Sequence, residues 1–159
     1  MHNVYLLTGS NVGDSLALLN TAIKHINTQV GKVIQQSSIY KTAPWGNVNQ
    51  QHFYNQVLLV QTTLSAHQVL QTILQIELDM GRVRELKWAP RTIDIDILFY
   101  DNLVMDEDDL TVPHPLLHLR KFTLQPMAEL AANLVHPKLH ATISQLLVSC
   151  PDTGLVEKL

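Results

Sequence analysis

The chain has 159 residues, with 14 acids against 11 bases for a formal charge of −3, and 46% of it is apolar. That length suits one domain, residues 1–159, with a real core, and no apolar run approaches the ~20 residues that span a bilayer. One thiol, Cys150, excludes a disulfide framework and a multi-cysteine zinc site, and the mild acidity argues against charge-driven nucleic-acid binding.

Strands and helices are predicted to alternate. Residues 4–8 form a short apolar strand that ends at Gly9-Ser10-Asn11-Val12-Gly13. Asp14 is placed to cap a helix whose stripe is Leu16, Leu19, Ile23, Ile26 and Val30, ended by Gly31. Residues 32–40 alternate loosely as a strand, residues 41–52 form a loop, and residues 53–63 resume as a strand. Ser65 with Gln68 makes a capping box, and Val69, Ile73, Ile76 and Met80 carry a second helical stripe to Gly81. A basic loop, 82–91, precedes the clearest strand, 93–100. An acidic turn at 106–109 and an extended, proline-bounded segment at 111–115 follow. Helices are expected over 120–132 and 142–148. The order β-α-β-β-α-β predicts an α+β, ferredoxin-like core: a mainly antiparallel sheet, with the C-terminal helices completing three α/β/α layers.

Chemistry concentrates around the strand at 93–100. Residues two apart on a strand share a face, so Asp94 and Asp96 project together while Ile93, Ile95 and Ile97 enter an apolar layer. Two carboxylates ~7 Å apart repel unless a cation lies between them, and a hard divalent ion such as Mg²⁺ suits oxygen ligands. Arg82, Arg84, Lys87 and Arg91 place four of the eleven cations immediately before that pair. A metal beside guanidinium groups is what phosphoryl transfer requires. Glu77 lies on or beside the apolar stripe of its helix, where it either meets Arg82 or Arg84 or flanks the stripe in water; the second reading is slightly favoured. Trp45, Phe53 and Tyr54 put rings beside a loop, where a flat heterocycle could stack, with Thr42 or Asn55 giving hydrogen-bonding specificity. His114, fixed between two prolines, stands out from eight histidines that are otherwise expected at the surface, and Arg120 with Phe122 adds a cation-aromatic pair. No P-loop and no Ser-His-Asp signature is present.

The stretch Lys87-Trp88-Ala89-Pro90-Arg91-Thr92-Ile93-Asp94-Ile95-Asp96-Ile97-Leu98 resembles the signature of the 6-hydroxymethyl-7,8-dihydropterin pyrophosphokinases of folate synthesis. The resemblance extends over nearly the whole chain. It takes in Gly9-Ser10-Asn11, the Tyr-x-Thr-x-Pro-x-Gly loop from Tyr40 to Gly46, Phe53-Tyr54-Asn55, Glu77, Gly81-Arg82-Val83-Arg84, Val112-Pro113-His114-Pro115, Arg120 with Phe122, and His136-Pro137. It implies transfer of pyrophosphate from MgATP to the pterin hydroxymethyl group, releasing AMP. It also implies that Asp94 and Asp96 hold two Mg²⁺ ions, and that Arg82, Arg84, Lys87, Arg91, His114 and Arg120 bind the triphosphate, with Arg82 and Arg91 catalytic. Glu77, Trp88, Ile97 and Thr111 would complete the ATP site. Phe53 and Phe122 would sandwich the pterin, with Thr42, Pro44, Trp45 and Asn55 at its edge. The loops at 42–52 and 82–91 would be lids that exclude water on closing.

Ala89 stands where Gly is common, Lys87 replaces a frequent Arg, and Asp109 takes a position where some members carry a cation. With no evident general base, metal-assisted deprotonation of the hydroxyl is expected. Two rival readings are a metal-dependent nucleotidyltransferase and a non-catalytic, ferredoxin-like nucleotide-binding module. The first places its Gly-Ser and Asp-x-Asp about a dozen residues apart, unlike Gly9 and Asp94; the second leaves the Asp pair and the four cations unexplained. A cytoplasmic monomer with no membrane or nucleic-acid partner is expected.

Overall fold

A computed structural model of the protein describes residues 1–43, 52–81 and 92–159. The first strand, β1 (His2–Ser10), leads into α1 (Ser15–Gln29), where the Asp14 carboxylate accepts the Ala17 N–H at 3.1 Å and so caps the helix as expected. Its buried positions are Ser15, Leu19, Ala22 and Ile26. Leu16, expected in that stripe, is 47% exposed: at about 100° per residue it falls on the flank of a face centred on 15, 19, 22 and 26. Gly31 follows the helix because a side chain will not fit there, since a Cβ would lie 2.1 Å from the Gln61 carbonyl oxygen.

The strand expected over 32–40 gives β2 (Lys32–Gln36) and, after a break, the first residue of β3 (Tyr40–Thr42), whose other two residues lie in the segment expected as a loop; both strands sit on one edge of the long β4 (Phe53–Thr62). Ser37 makes the break. Its N–H donates to the Val57 carbonyl at 2.9 Å while its hydroxyl oxygen accepts the Val57 N–H at 3.0 Å, so a side chain does the work of a main-chain carbonyl and the ladder is interrupted. Helix α2 (Ala66–Asp79) carries the expected capping box and buries Val69, Ile73 and Ile76. After β5 (Asp94–Tyr100), a hairpin of β6 (Met105–Asp106) and β7 (Thr111–Val112) spans the acidic turn, and His67 on α2 meets Glu107 of that turn at 2.6 Å. A 3-10 turn, Leu117–Leu119, leads to α3 (Lys121–Ala131), with Pro126 inside it, and then to α4 (Ile143–Val148), capped by Thr142. The short β8 (Val156–Lys158), which had no sequence signal, pairs with β3.

All pairings are antiparallel, in the order β5-β1-β4-β3-β8 with β2 beside β3 on β4, which is how the two halves of a ferredoxin-like fold interleave. One face carries α1 and α2 over Val4, Leu6, Leu58, Val60 and the isoleucines of the β5 segment. The other carries α3 and α4 over Leu7, Val57, Leu98 and Phe99. The three expected layers are therefore present. Among the described residues no helix is long and apolar enough to cross a membrane.

Candidate functional site

Residues directly opposite across antiparallel strands share a face. Gly9 of β1 lies opposite Asn55 of β4 on one side and Asp94 of β5 on the other, and Asn55 lies opposite Tyr40 of β3. Leu7 is likewise opposite Val57 and Asp96. Since Leu7 and Val57 belong to the core beneath α3 and α4, the two aspartates, Asn55 and, by alternation, Phe53 and Thr42 all project to that side of the sheet. Helices cover one end of this face; the other end holds the polar row. Asp94 and Asp96 are both half-buried there, while Ile93, Ile95 and Ile97 are at most 5% exposed beneath α1 and α2, as the alternation predicted.

Gly9 forms the floor between the aspartates and Asn55. A Cβ on it would lie 2.6 Å from the Asn55 Oδ1, so the asparagine amide lies flat across the strand only because that atom is missing. Asn55 is 4% exposed, and its Nδ2 donates to the Thr42 hydroxyl at 2.8 Å. The orientation of the amide is thus set by Thr42 on the neighbouring strand. Phe53 is half-buried beside them, whereas Tyr54 packs into the opposite core, which settles which of the two rings is strand core.

Glu77 overturns the favoured expectation of a solvated acid. It is fully buried on α2, and its Oε2 accepts the Ile95 N–H at 2.8 Å. A carboxylate from the far layer therefore holds the main chain of β5 between the two aspartates. Ile97 directs its side chain into the α1/α2 core, away from the aspartates, so on that side it has only main chain to offer.

At the outer edge of β5 the His114 N–H donates to the Leu98 carbonyl at 3.0 Å, which seats the segment after β7 against the strand. The His114 Nδ1 accepts the Leu116 N–H at 3.1 Å. Burial, reinforced by the Arg120 guanidinium and opposed by Asp94, lowers the His114 pKa to about 4. The ring is therefore neutral at pH 7, with its proton on Nε2, a donor in reach of the fields of both Asp94 and Arg120. Arg120, which precedes α3, lies 5.6 Å over the ring of Phe122, so the expected cation-aromatic pair is formed. Thr111 donates to Asp106 at 3.2 Å and, with His114, lines a cavity of about 110 Å³ closed by His136, Lys138 and Leu139. His136 is itself 3% exposed, contrary to the expectation of a surface histidine: its Nδ1 accepts two N–H groups, from Lys138 and Leu139.

Thr42, Phe53, Asn55, Asp94 and Asp96 thus share one face, with Phe122 packed against the core of that face and His114 and Arg120 at its β5 side. Pro44, Trp45, Arg82, Arg84, Lys87, Trp88 and Arg91 lie outside the described residues. Two half-exposed carboxylates from alternate positions of one strand are a hard, all-oxygen donor set, and they fit a Mg²⁺ ion that keeps positions open for phosphate oxygens. Gly9 as the floor had a signal in the sequence only through the resemblance, whereas Glu77 was marked by its place beside the apolar stripe of its helix, though not as the strand's anchor.

A family model described as 7,8-dihydro-6-hydroxymethylpterin-pyrophosphokinase (HPPK) matches residues 5–132. The 2-amino-4-hydroxy-6-hydroxymethyldihydropteridine pyrophosphokinase of Methylorubrum extorquens is 41% identical over 136 residues, covering 85% of this chain and 86% of that protein. The folic acid synthesis protein FOL1 of Dictyostelium discoideum is 40% identical over 157 residues, and there the chain spans 98% of its own length but 24% of the relative. In structure, the Plasmodium falciparum HPPK-DHPS, crystallised with pterin and p-hydroxybenzoate, matches with a TM-score of 0.76 at 18% identity, over 92% of this chain and 42% of that one. That last likeness is one of fold.

Proposed function

The chain belongs to the 7,8-dihydro-6-hydroxymethylpterin-pyrophosphokinase family and is a pyrophosphokinase of folate synthesis; we propose that it transfers pyrophosphate from ATP to the hydroxymethyl group of 6-hydroxymethyl-7,8-dihydropterin on the face just described. The observation that carries this is the row Asp94–Gly9–Asn55, which puts a metal-binding carboxylate and a held amide on one surface across three strands. The hydroxyl oxygen of the pterin attacks the β-phosphorus of ATP. The bond from that phosphorus to the oxygen bridging to the α-phosphate breaks, AMP leaves with that oxygen, and the hydroxyl proton passes to water.

Asp94 and Asp96 hold two Mg²⁺ ions, which when bound neutralise charge on the phosphate oxygens. Arg82, Arg84, Lys87, Trp88, Arg91 and Arg120 bind the triphosphate and its nucleotide. Of these, Arg82 and Arg91 offset the charge that builds between the β-phosphorus and the leaving AMP. The neutral His114 ring gives its Nε2–H to a phosphate oxygen, Thr111 and the main chain of Ile97 complete the nucleotide site, and Glu77, expected there too, acts from beneath the sheet by holding the main chain of β5. Asn55 and Thr42 read the polar edge of the pterin, Phe53 and Phe122 take its two faces, and Pro44 and Trp45 close its rim. The working unit is one domain, residues 1–159, acting in the cytoplasm as a monomer.

Incubation with ATP, Mg²⁺ and 6-hydroxymethyl-7,8-dihydropterin is expected to yield AMP and the pyrophosphorylated pterin. Asp94→Ala and Asp96→Ala should each lower the rate by about 10³-fold or more, since each removes charge stabilisation of several kcal/mol. Release of pyrophosphate with a nucleotidyl adduct would defeat the assigned reaction, and unchanged rates in both variants would defeat the metal site.

A further inference from the structure

The pterin site, as read above, has walls on different elements: Phe122 on α3, Thr42 on β3 and Phe53 on β4. One carboxylate joins the first to the second. Glu129 lies seven residues after Phe122, two turns along the same side of α3. Its Oε1 accepts the Tyr40 hydroxyl at 2.6 Å, and its Oε2 accepts both the Ser38 N–H at 2.9 Å and the Ser38 hydroxyl at 3.2 Å. Lys158 of β8 places its Nζ 3.9 Å from Oε1. Hydrogen-bond donors from the β2–β3 junction and from β3, and a cation from β8, thus converge on one helical side chain.

Tyr40 is 4% exposed and lies directly opposite Asn55, two residues before Thr42 on the same face. Burial, then the bond to Glu129 and its charge, raise the Tyr40 pKa well above its ordinary value, so the phenol keeps its proton and remains a donor. Burial works to raise the Glu129 pKa as well, but the bonds from Tyr40 and Ser38 and the charge of Lys158 outweigh it and hold the carboxyl below its ordinary value. The cluster is thus a charged acceptor bonded by the neutral donors of Tyr40 and Ser38 and flanked by the Lys158 ammonium.

We propose that Glu129 is a positioning residue for the pterin: through Tyr40 and Ser38 it fixes α3 against β3, and so sets the place of Phe122 relative to Thr42, Asn55 and Phe53. This rests on the reading of those residues as the pterin site. The aspartates do not depend on this tie, and of the phosphate-binding groups placed above only Arg120 adjoins α3, at the end of the helix away from Glu129. Asp94 and Asp96 stand on the opposite edge strand, anchored by β1 and by Glu77. Losing the tie should therefore weaken the pterin much more than ATP.

The test is steady-state kinetics on the full chain, with the pterin and MgATP varied separately, for wild type, Glu129→Gln, Tyr40→Phe and Phe122→Ala. Tyr40→Phe removes one hydroxyl and keeps the ring, so it reads the tie even if Glu129→Gln unfolds. Each of these two should raise KM for the pterin about tenfold, as loss of a hydrogen bond to a charged group would, with KM for ATP unchanged within twofold. A merely structural role would move both constants together. An equal rise in both, or no rise in either, would overturn the proposal. If Phe122→Ala also left KM for the pterin unchanged, the wall itself would be misassigned; if Phe122→Ala raised it and the other two did not, the tie alone would fail.

Discussion

His114 and His136 are both held neutral inside the fold, with pKa values lowered to about 4, chiefly by burial. In the unfolded chain each would titrate near ~6.5. Between those values the unfolded state binds more protons than the folded one, so stability falls as pH drops from about 6.5 toward 4 and is unaffected by these groups above that window. His136→Asn keeps an oxygen near the Nδ1 position for the N–H groups of Lys138 and Leu139 but cannot be protonated. Urea midpoints measured from pH 7.5 to 4.5 should show a shallower acid-side decline for this variant than for wild type. A histidine followed by proline was visible in the chain. That its ring is a buried acceptor was not, because burial here is produced by Phe99, 5.5 Å away and distant in sequence.

Element by element, what was legible followed local signals. The capping box of Ser65 with Gln68, the alternation of 93–100 and the helices each depend on residues within a few positions of one another. Apart from Leu16, whose place on the flank of α1 is a matter of helical angle, the failures were long-range. Residues 32–40 read as one strand because the interruption comes from Ser37 bonding to Val57, and β8 was missed because three residues form a strand only when β3 offers them an edge. Glu77 shows the same limit: an acid near an apolar stripe is ordinary, and only the approach of Ile95 makes it the anchor of β5. Glu77→Ala strands that buried N–H and should cost about 1–3 kcal/mol. Glu77→Gln keeps an oxygen acceptor, so it should unfold at higher urea than the alanine variant. Matching midpoints would mean that the bond to Ile95 contributes nothing.

Over the whole molecule, the C-terminal segment binds the pterin side of the sheet rather than trailing from it. Asp152 accepts the Lys121 N–H at 3.0 Å at the start of α3, Leu155 accepts the Ala43 N–H at 3.1 Å, and β8 then pairs with β3. Deleting residues 152–159 removes all three ties. With a loss of about 2 kcal/mol, the melting temperature should fall by roughly 4–8 °C, and KM for the pterin should rise while KM for ATP holds; calorimetry and the same kinetics check both. The long ladder between β1 and β4 has a different consequence. Nine consecutive pairs hold β4 in register, and the strand's first residues carry Phe53 and Asn55. One extra residue inserted after Asn55 would leave the ladder and core positions from Val57 onward in place yet turn Phe53 and Asn55 to the opposite side of the sheet and draw Tyr54 out of the α1/α2 core. This end of the strand should therefore accept exchanges of residue type far more readily than changes of length, so the spacing between Asn55 and Val57 is as much a part of the site as either side chain.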